Sequence, residues 1–285
     1  MTIIKYRFSE VDENGKPQHL HQLWNEEKQE WTALTGTSSI VKILQVPLTF
    51  WAAGKTLEKL GWINSKIKVD GKYVEIPREE RLKKAEPILE LLKGMELEDY
   101  LNTLDKAYYA HRDSSDKSKE AGTALHSELE HFVKYKMCKV KVKKFDPRIK
   151  PFIDWSKENV KRFVASEAHC YDESPDMFVG GIVDVVMEMK NGTLAIGDFK
   201  SSRDAFPSQF LQLGGYSLQI KRNGLFSKDG EHQKKLDKPI SSLIVVPFGM
   251  TPVVPQIRYS VAEYEEGFKA AVKLYRLLGF EGTNN

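Results

Sequence analysis

The chain is poor in cysteine. Its 285 residues include only Cys138 and Cys170, with no C-x-x-C pair, so neither a disulfide framework nor a cysteine-held zinc or iron-sulfur cluster can be built. A reducing, cytosolic or nucleoid setting is therefore expected. No apolar run approaches the length of a bilayer span, and "MTIIKYRFSEVDENG" lacks the uninterrupted apolar stretch of a signal peptide, so no membrane partner is expected. There is no glycine-rich Walker sequence, so translocation driven by ATP would need a partner protein, and no nucleophile elbow for Ser-His-Asp chemistry. Internal repeats are absent. The net charge of +3 is too small to name a partner, because nucleic-acid binders are recognised by where their basic groups cluster.

What remains is a chain long enough to bury a substantial core. "TIIKYRFS", "QHLHQLW" and "EWTAL" read as short strands separated by "ENGK" and "NEEKQ", a small meander. Helices are predicted over "TSSIVKIL", over "LTFWAAGKTLEKLGW" and over a long amphipathic section up to Arg112, interrupted at Pro87 and Gly94. Asp113 to Glu120, "DSSDKSKE", has no apolar periodicity and reads as an exposed loop. From Gly122 the order becomes α, β, β, β, α, β, β, α. It opens on a helix with Leu125, Leu129, Phe132 and Val133 along one stripe. The expected fold class is α/β (α+β): a mixed central sheet flanked by helices over residues 121–285, with a strand-plus-helix appendage over 1–120.

The chemistry concentrates in "GGIVDVVMEMKNGTLAIGDFK", a predicted hairpin with one acid on each arm. Asp184 stands among Ile182, Val183, Val185 and Val186, where an ionised carboxylate is expensive unless it is paired or binds a metal. Asp198 and Lys200 are two apart, so the strand period points both to one face. Two readings are open: a structural ion pair, or a divalent-metal site with an adjacent lysine. Register decides whether the second can exist. A two-residue turn at Asn191-Gly192 sets Asp184 opposite Phe199 and separates the acids. A three-residue loop, Lys190 to Gly192 with Gly192 left-handed, sets Asp184 opposite Asp198. A metal site therefore predicts the bulged turn, or an equivalent bulge nearer Gly181.

Four motifs in order, namely Gly122-Thr123-Ala124-Leu125-His126, Gly181-Ile182-Val183-Asp184, Asp198-Phe199-Lys200 and Gln212-Leu213-Gly214-Gly215-Tyr216, resemble those of the RecB-like branch of the PD-(D/E)XK nucleases. The resemblance covers Gly122 to Tyr216. It implies a restriction-endonuclease-like core and a metal-dependent DNA exonuclease serving end processing, recombination or repair. A structure-specific endonuclease and a non-catalytic DNA-binding or assembly module are the alternatives. Asp184, Asp198 and the carbonyl of Phe199 would hold Mg2+ or Mn2+, with His126 as a ligand to that metal or to a second one. Lys200 would position the attacking water or stabilise charge on the phosphate. Gln212 and Tyr216, one helical turn apart, would reach the scissile region together. Glu167 is implied to support the ligands from the preceding strand, and Glu130 lies one helical turn beyond His126. Ser201 and Ser202 would donate to a phosphate. Lacking the cysteines, the chain resembles the cluster-free, phage-type members, with no iron-sulfur cluster. Linear DNA ends, and a helicase, annealing or recombination protein, are the implied partners. The implied setting is the cytoplasm of a bacterium or phage-infected host.

One basic cluster stands out. Lys134 to Lys150 holds seven lysines and Arg148 against a single acid, Asp146. Following the His126 helix, it is expected at the cleft mouth, with Lys141, Lys143 and Lys144 on phosphates and Tyr135 and Phe145 stacked on unpaired bases. By contrast His19-Leu20-His21 has strand spacing suited to a metal but no third ligand nearby in sequence.

Overall fold

A computed structural model of the chain describes residues 5–11, 17–44, 49–69, 72–141, 144–202, 204–230, 233–248 and 255–279. It divides into two compact units, one of Met1–Gln45 with Gly122–Asn285 and one of Val46–Ala121.

In the larger unit, β1 (Tyr6–Val11), β2 (Pro17–Asn25) and β3 (Glu30–Ala33) form the expected antiparallel meander. β4 (Thr35–Gly36) and α1 (Thr37–Lys42) follow. The smaller unit holds α2 (Thr49–Lys59), the hairpin β5 (Lys66–Val69) and β6 (Lys72–Glu75), and α3 (Arg78–Lys93). α4 (Leu97–Lys136) begins there and continues into the larger unit. Then come α5 (Lys150–Asn159), β7 (Val160–Asp172), β8 (Val179–Met189), β9 (Leu194–Lys200) and α6 (Pro207–Asn223). Two-residue strands β10 (Leu225–Phe226) and β11 (Gln233–Lys234) precede β12 (Ile240–Pro247), β13 (Gln256–Arg258) and α7 (Val261–Leu277).

The central sheet runs β11-β10-β7-β8-β9-β12-β13 and is mixed: β7, β8 and β9 are antiparallel, while β9 and β12 are parallel and joined through α6. A parallel pair needs such a crossover, which puts a helix on the sheet. β8 and β9 are accordingly buried nearly throughout, as their near-continuous apolar runs require. The stripe Leu125, Leu129, Phe132 and Val133 packs with Phe152 against Val185, Met187, Phe199 and Val246. Phe210, Leu213, Tyr216 and Ile220 of α6 pack with Val186, Ile196 and Val245.

Three expectations are corrected. The appendage is not one body: Ile40 and Val41 of α1 are buried with Val179, Phe268 and Val272, and Tyr6, Leu23 and Leu34 with Tyr171 and Phe226, so residues up to Gln45 belong with the core. Asp113 to Glu120 is not a loop but the middle of α4, because Lys, Glu and Ser carry no proline penalty and extending an existing helix is easier than ending and renucleating it. Pro87 does not interrupt α3, which ends at Gly94.

Candidate metal centre

The turn between β8 and β9 sets the geometry. Gly192 has φ +84°, its N–H donates to the Met189 carbonyl at 2.9 Å, and the Met189 N–H donates to the Thr193 carbonyl at 2.8 Å. Asn191 Oδ1 accepts from both the N–H and the hydroxyl of Thr193. This is the three-residue bulged turn, and the ladder that follows pairs Glu188 with Leu194 and, at its last step, Val185 with Gly197. The next position along sets Asp184 opposite Asp198.

There the two strands part. Asp184 Oδ2 accepts the backbone N–H of Phe199 at 2.6 Å, so a carboxylate takes a hydrogen bond that a strand carbonyl would otherwise receive. Further along β8, β4 pairs beside it, Thr35 with Val179 and Gly36 with Gly180. The splayed end is thus closed by the N-terminal segment.

Three strands and a helix bring charge to this point. Asp198 is 2% exposed and its Oδ2 lies 2.8 Å from Lys200 Nζ. Burial raises the Asp198 carboxyl and Asp184 adds to the rise, against the opposing pull of Lys200. Burial works against the Lys200 ammonium too, but Asp198 and Asp184 outweigh it and hold the proton on. His126 Nε2 lies 3.1 Å from Asp184 Oδ2, with its ring edge-on to Phe199. Burial lowers the imidazole, yet its hydrogen bond to Asp184 and the surrounding carboxylates raise it to about 9. The partner of His126 is therefore Asp184, while Glu130 pairs with Lys134. α4 can approach because Gly122 has no Cβ; one placed there would stand 2.7 Å from Ser201 Cβ.

Glu167 completes the group. It holds φ +50° inside β7, a conformation that bulky residues avoid, and its Oε1 is buried without a hydrogen bond. Burial raises its carboxyl, and Asp184 raises it further. Ligand atoms of His126, Glu167 and Asp184 all lie within 4.8 Å of one another. One imidazole nitrogen, carboxylate oxygens and an orphaned buried acceptor form a donor set that fits a divalent cation.

Behind Asp198, Gln212 Nε2 donates to the Tyr216 hydroxyl at 2.6 Å, both residues buried. Burial, then the charge of Asp198, keeps that hydroxyl protonated. A Cβ at Gly181 would stand 2.3 Å from Tyr216 Cε1, so the first residue of Gly181-Ile182-Val183-Asp184 is the space the ring occupies. Sequence reasoning missed Thr37 and Gln219: the Thr37 hydroxyl donates to the Gly180 carbonyl at 3.0 Å and accepts from Gln219 Nε2 at 2.7 Å. No local pattern could have found a contact spanning the chain from α1 to α6.

The expected DNA-contact residues are less uniform. Lys141 and Lys144 are exposed, and Lys143 lies outside the described residues. Arg148 is held by Asp146 at 2.6 Å. Phe145 is half-buried at the rim of the core, where it packs on Phe132, His131 and Tyr135. Ser201 is exposed, whereas Ser202 donates to the Asp204 carbonyl and accepts from Gln209. His21 is a packing residue, its Nδ1 2.7 Å from the Tyr6 hydroxyl, which also lies 2.9 Å from His169 Nδ1. Among the described residues no helix is long and apolar enough to cross a membrane. No protein-family model matches the chain, and a search of curated proteins finds no match.

Proposed function

We propose that the chain is a divalent-metal-dependent deoxyribonuclease with a RecB-like, restriction-endonuclease-like core, acting as an exonuclease on linear DNA ends. The observation that carries this reading is the bulged register, which brings Asp184 and Asp198 level with Lys200 alongside. Asp184 would hold Mg2+ or Mn2+ with His126 and Glu167, whose ligand atoms group with its own, and Asp198 and the carbonyl of Phe199 would add to the set. The bound cation supplies a Lewis acid and an activated water. Lys200, held as an ammonium by its two carboxylate neighbours, would orient a water beside the cation and balance negative charge on a phosphate. Tyr216 is fixed by Gln212 and seated against Gly181, close enough to Asp198 to feel its charge.

End-labelled linear DNA and closed circular DNA, incubated with the wild type and Asp198→Ala with and without Mg2+ or Mn2+, test the proposal. Metal-dependent loss of label from linear DNA by the wild type alone is expected. Cutting of closed circles would instead make it an endonuclease, and no cleavage under either metal would overturn the reading.

A further inference from the structure

At the opposite end of the sheet from the acids, basic side chains converge without enough acid to balance them. Glu188, the last paired residue of β8, is buried and receives Lys161 at 2.9 Å and Arg162 at 2.6 Å, with Lys238 at 3.9 Å. Arg162, Lys234 and Lys235 also line a cavity of about 170 Å³, joined there by Asp237. Lys238 reaches the Gly192 carbonyl at 3.0 Å, and exposed Lys190 sits in the same turn, its N–H on the Asn159 carbonyl. Among the described residues, six cations named here thus share one end of the sheet with two acids, Glu188 and Asp237.

Protection of an edge strand accounts for Lys234 on β11 and for Lys235 just after it. It does not account for Lys161, Arg162, Lys190 and Lys238, which lie off that edge and converge on the same carboxylate or turn. A surplus of cations around a small cavity, with Val164, Leu194 and Leu236 between them, fits a polyanion whose charges are spaced along a chain. We propose that this end of the sheet is a second contact for the nucleic-acid backbone, gripping phosphates away from the site of cleavage. The ligand class rests on the deoxyribonuclease reading. The four steps of β9 from Leu194 to Asp198 span about 13 Å. A duplex touching both ends therefore extends about four base pairs or more from the metal centre, at roughly 3.4 Å per pair.

The test uses the full-length wild type in EDTA, so that no cleavage occurs, with a labelled 30-base-pair duplex read by fluorescence anisotropy across a salt series. Lys234→Glu, Lys235→Glu and Lys238→Glu together should weaken binding about 10-fold or more and reduce the salt slope by about 2 to 3. The three arginine replacements should retain both, and thermal melts should match the wild type. A control reversing Lys5, Lys28 and Lys273, with the same net charge, should change the affinity by less than about threefold, charge at a distance being screened. An unchanged slope in the triple variant, or an equal loss in the control, overturns the second contact. If the wild type cuts DNA while the triple variant binds normally, only the second contact falls. A wild type that neither cuts nor binds overturns both.

Discussion

The carboxylate of Asp184 accepts the backbone N–H of Phe199 at 2.6 Å where β8 and β9 part, and so one side chain both closes the sheet and faces the site. The two roles can be separated. Asp184→Asn keeps an oxygen for the Phe199 N–H but loses the charge; Asp184→Leu strands the buried donor. In urea melts the leucine variant should lose about 1–3 kcal/mol more than the asparagine variant, while both should abolish metal-dependent cleavage.

Gly192 is a test of register. Its positive φ, with open space where a Cβ would stand, makes any penalty one of backbone conformation alone. Gly192→Val should lower stability by about 1–2 kcal/mol, and Gly192→Asn by much less, asparagine tolerating this region. Chemical denaturation of the two variants measures the difference.

Much of this hairpin was legible because the strand period leaves only two registers, and only one sets the acids level. The apolar stripe from Leu125 to Val133 was legible for the same reason, a period with one consistent solution. Thr37 was not, since its partners Gly180 and Gln219 are far away in sequence and a threonine before a helix has many local uses. The polar stretch Asp113 to Glu120 misled because missing periodicity removes evidence of a buried face, not of a helix. Phe145 was ambiguous because an aromatic in a basic run suits a base or a core equally, and its packing on Phe132 is a contact no local pattern gives.

Acid should loosen the N-terminal meander from the core. Burial holds His21 at about 3 and His169 at about 4, below the ordinary histidine value of about 6.5. Between those limits the unfolded chain binds more protons, so stability rises with pH: this contribution is present above about 6.5 and is lost as pH falls toward 4. The loss should be on the order of a few kcal/mol. Urea midpoints from pH 7 to pH 4.5 should fall less steeply in His21→Leu than in the wild type.

The imidazole of His126, held at about 9 beside Asp184, carries a proton at pH 7 that a metal ligand must give up. Because the folded value is raised, metal affinity should strengthen as pH climbs toward 9 and weaken below it, about tenfold per unit, and more steeply below about 8 where Glu167 is protonated as well. Calorimetric Mn2+ titrations in buffers of different ionisation enthalpy should detect about one more released proton in the wild type than in His126→Gln, where Glu167, pushed up to about 8 by burial and Asp184, still gives up its own.

Mn2+ binding followed by electron paramagnetic resonance, on the wild type and on Asp198→Ala, addresses the metal centre without reference to any nucleic acid. Saturable binding by the wild type, at least about tenfold weaker in the variant, is the predicted result. Equal affinity in the two proteins would contradict it and return Asp198 and Lys200 to a structural ion pair.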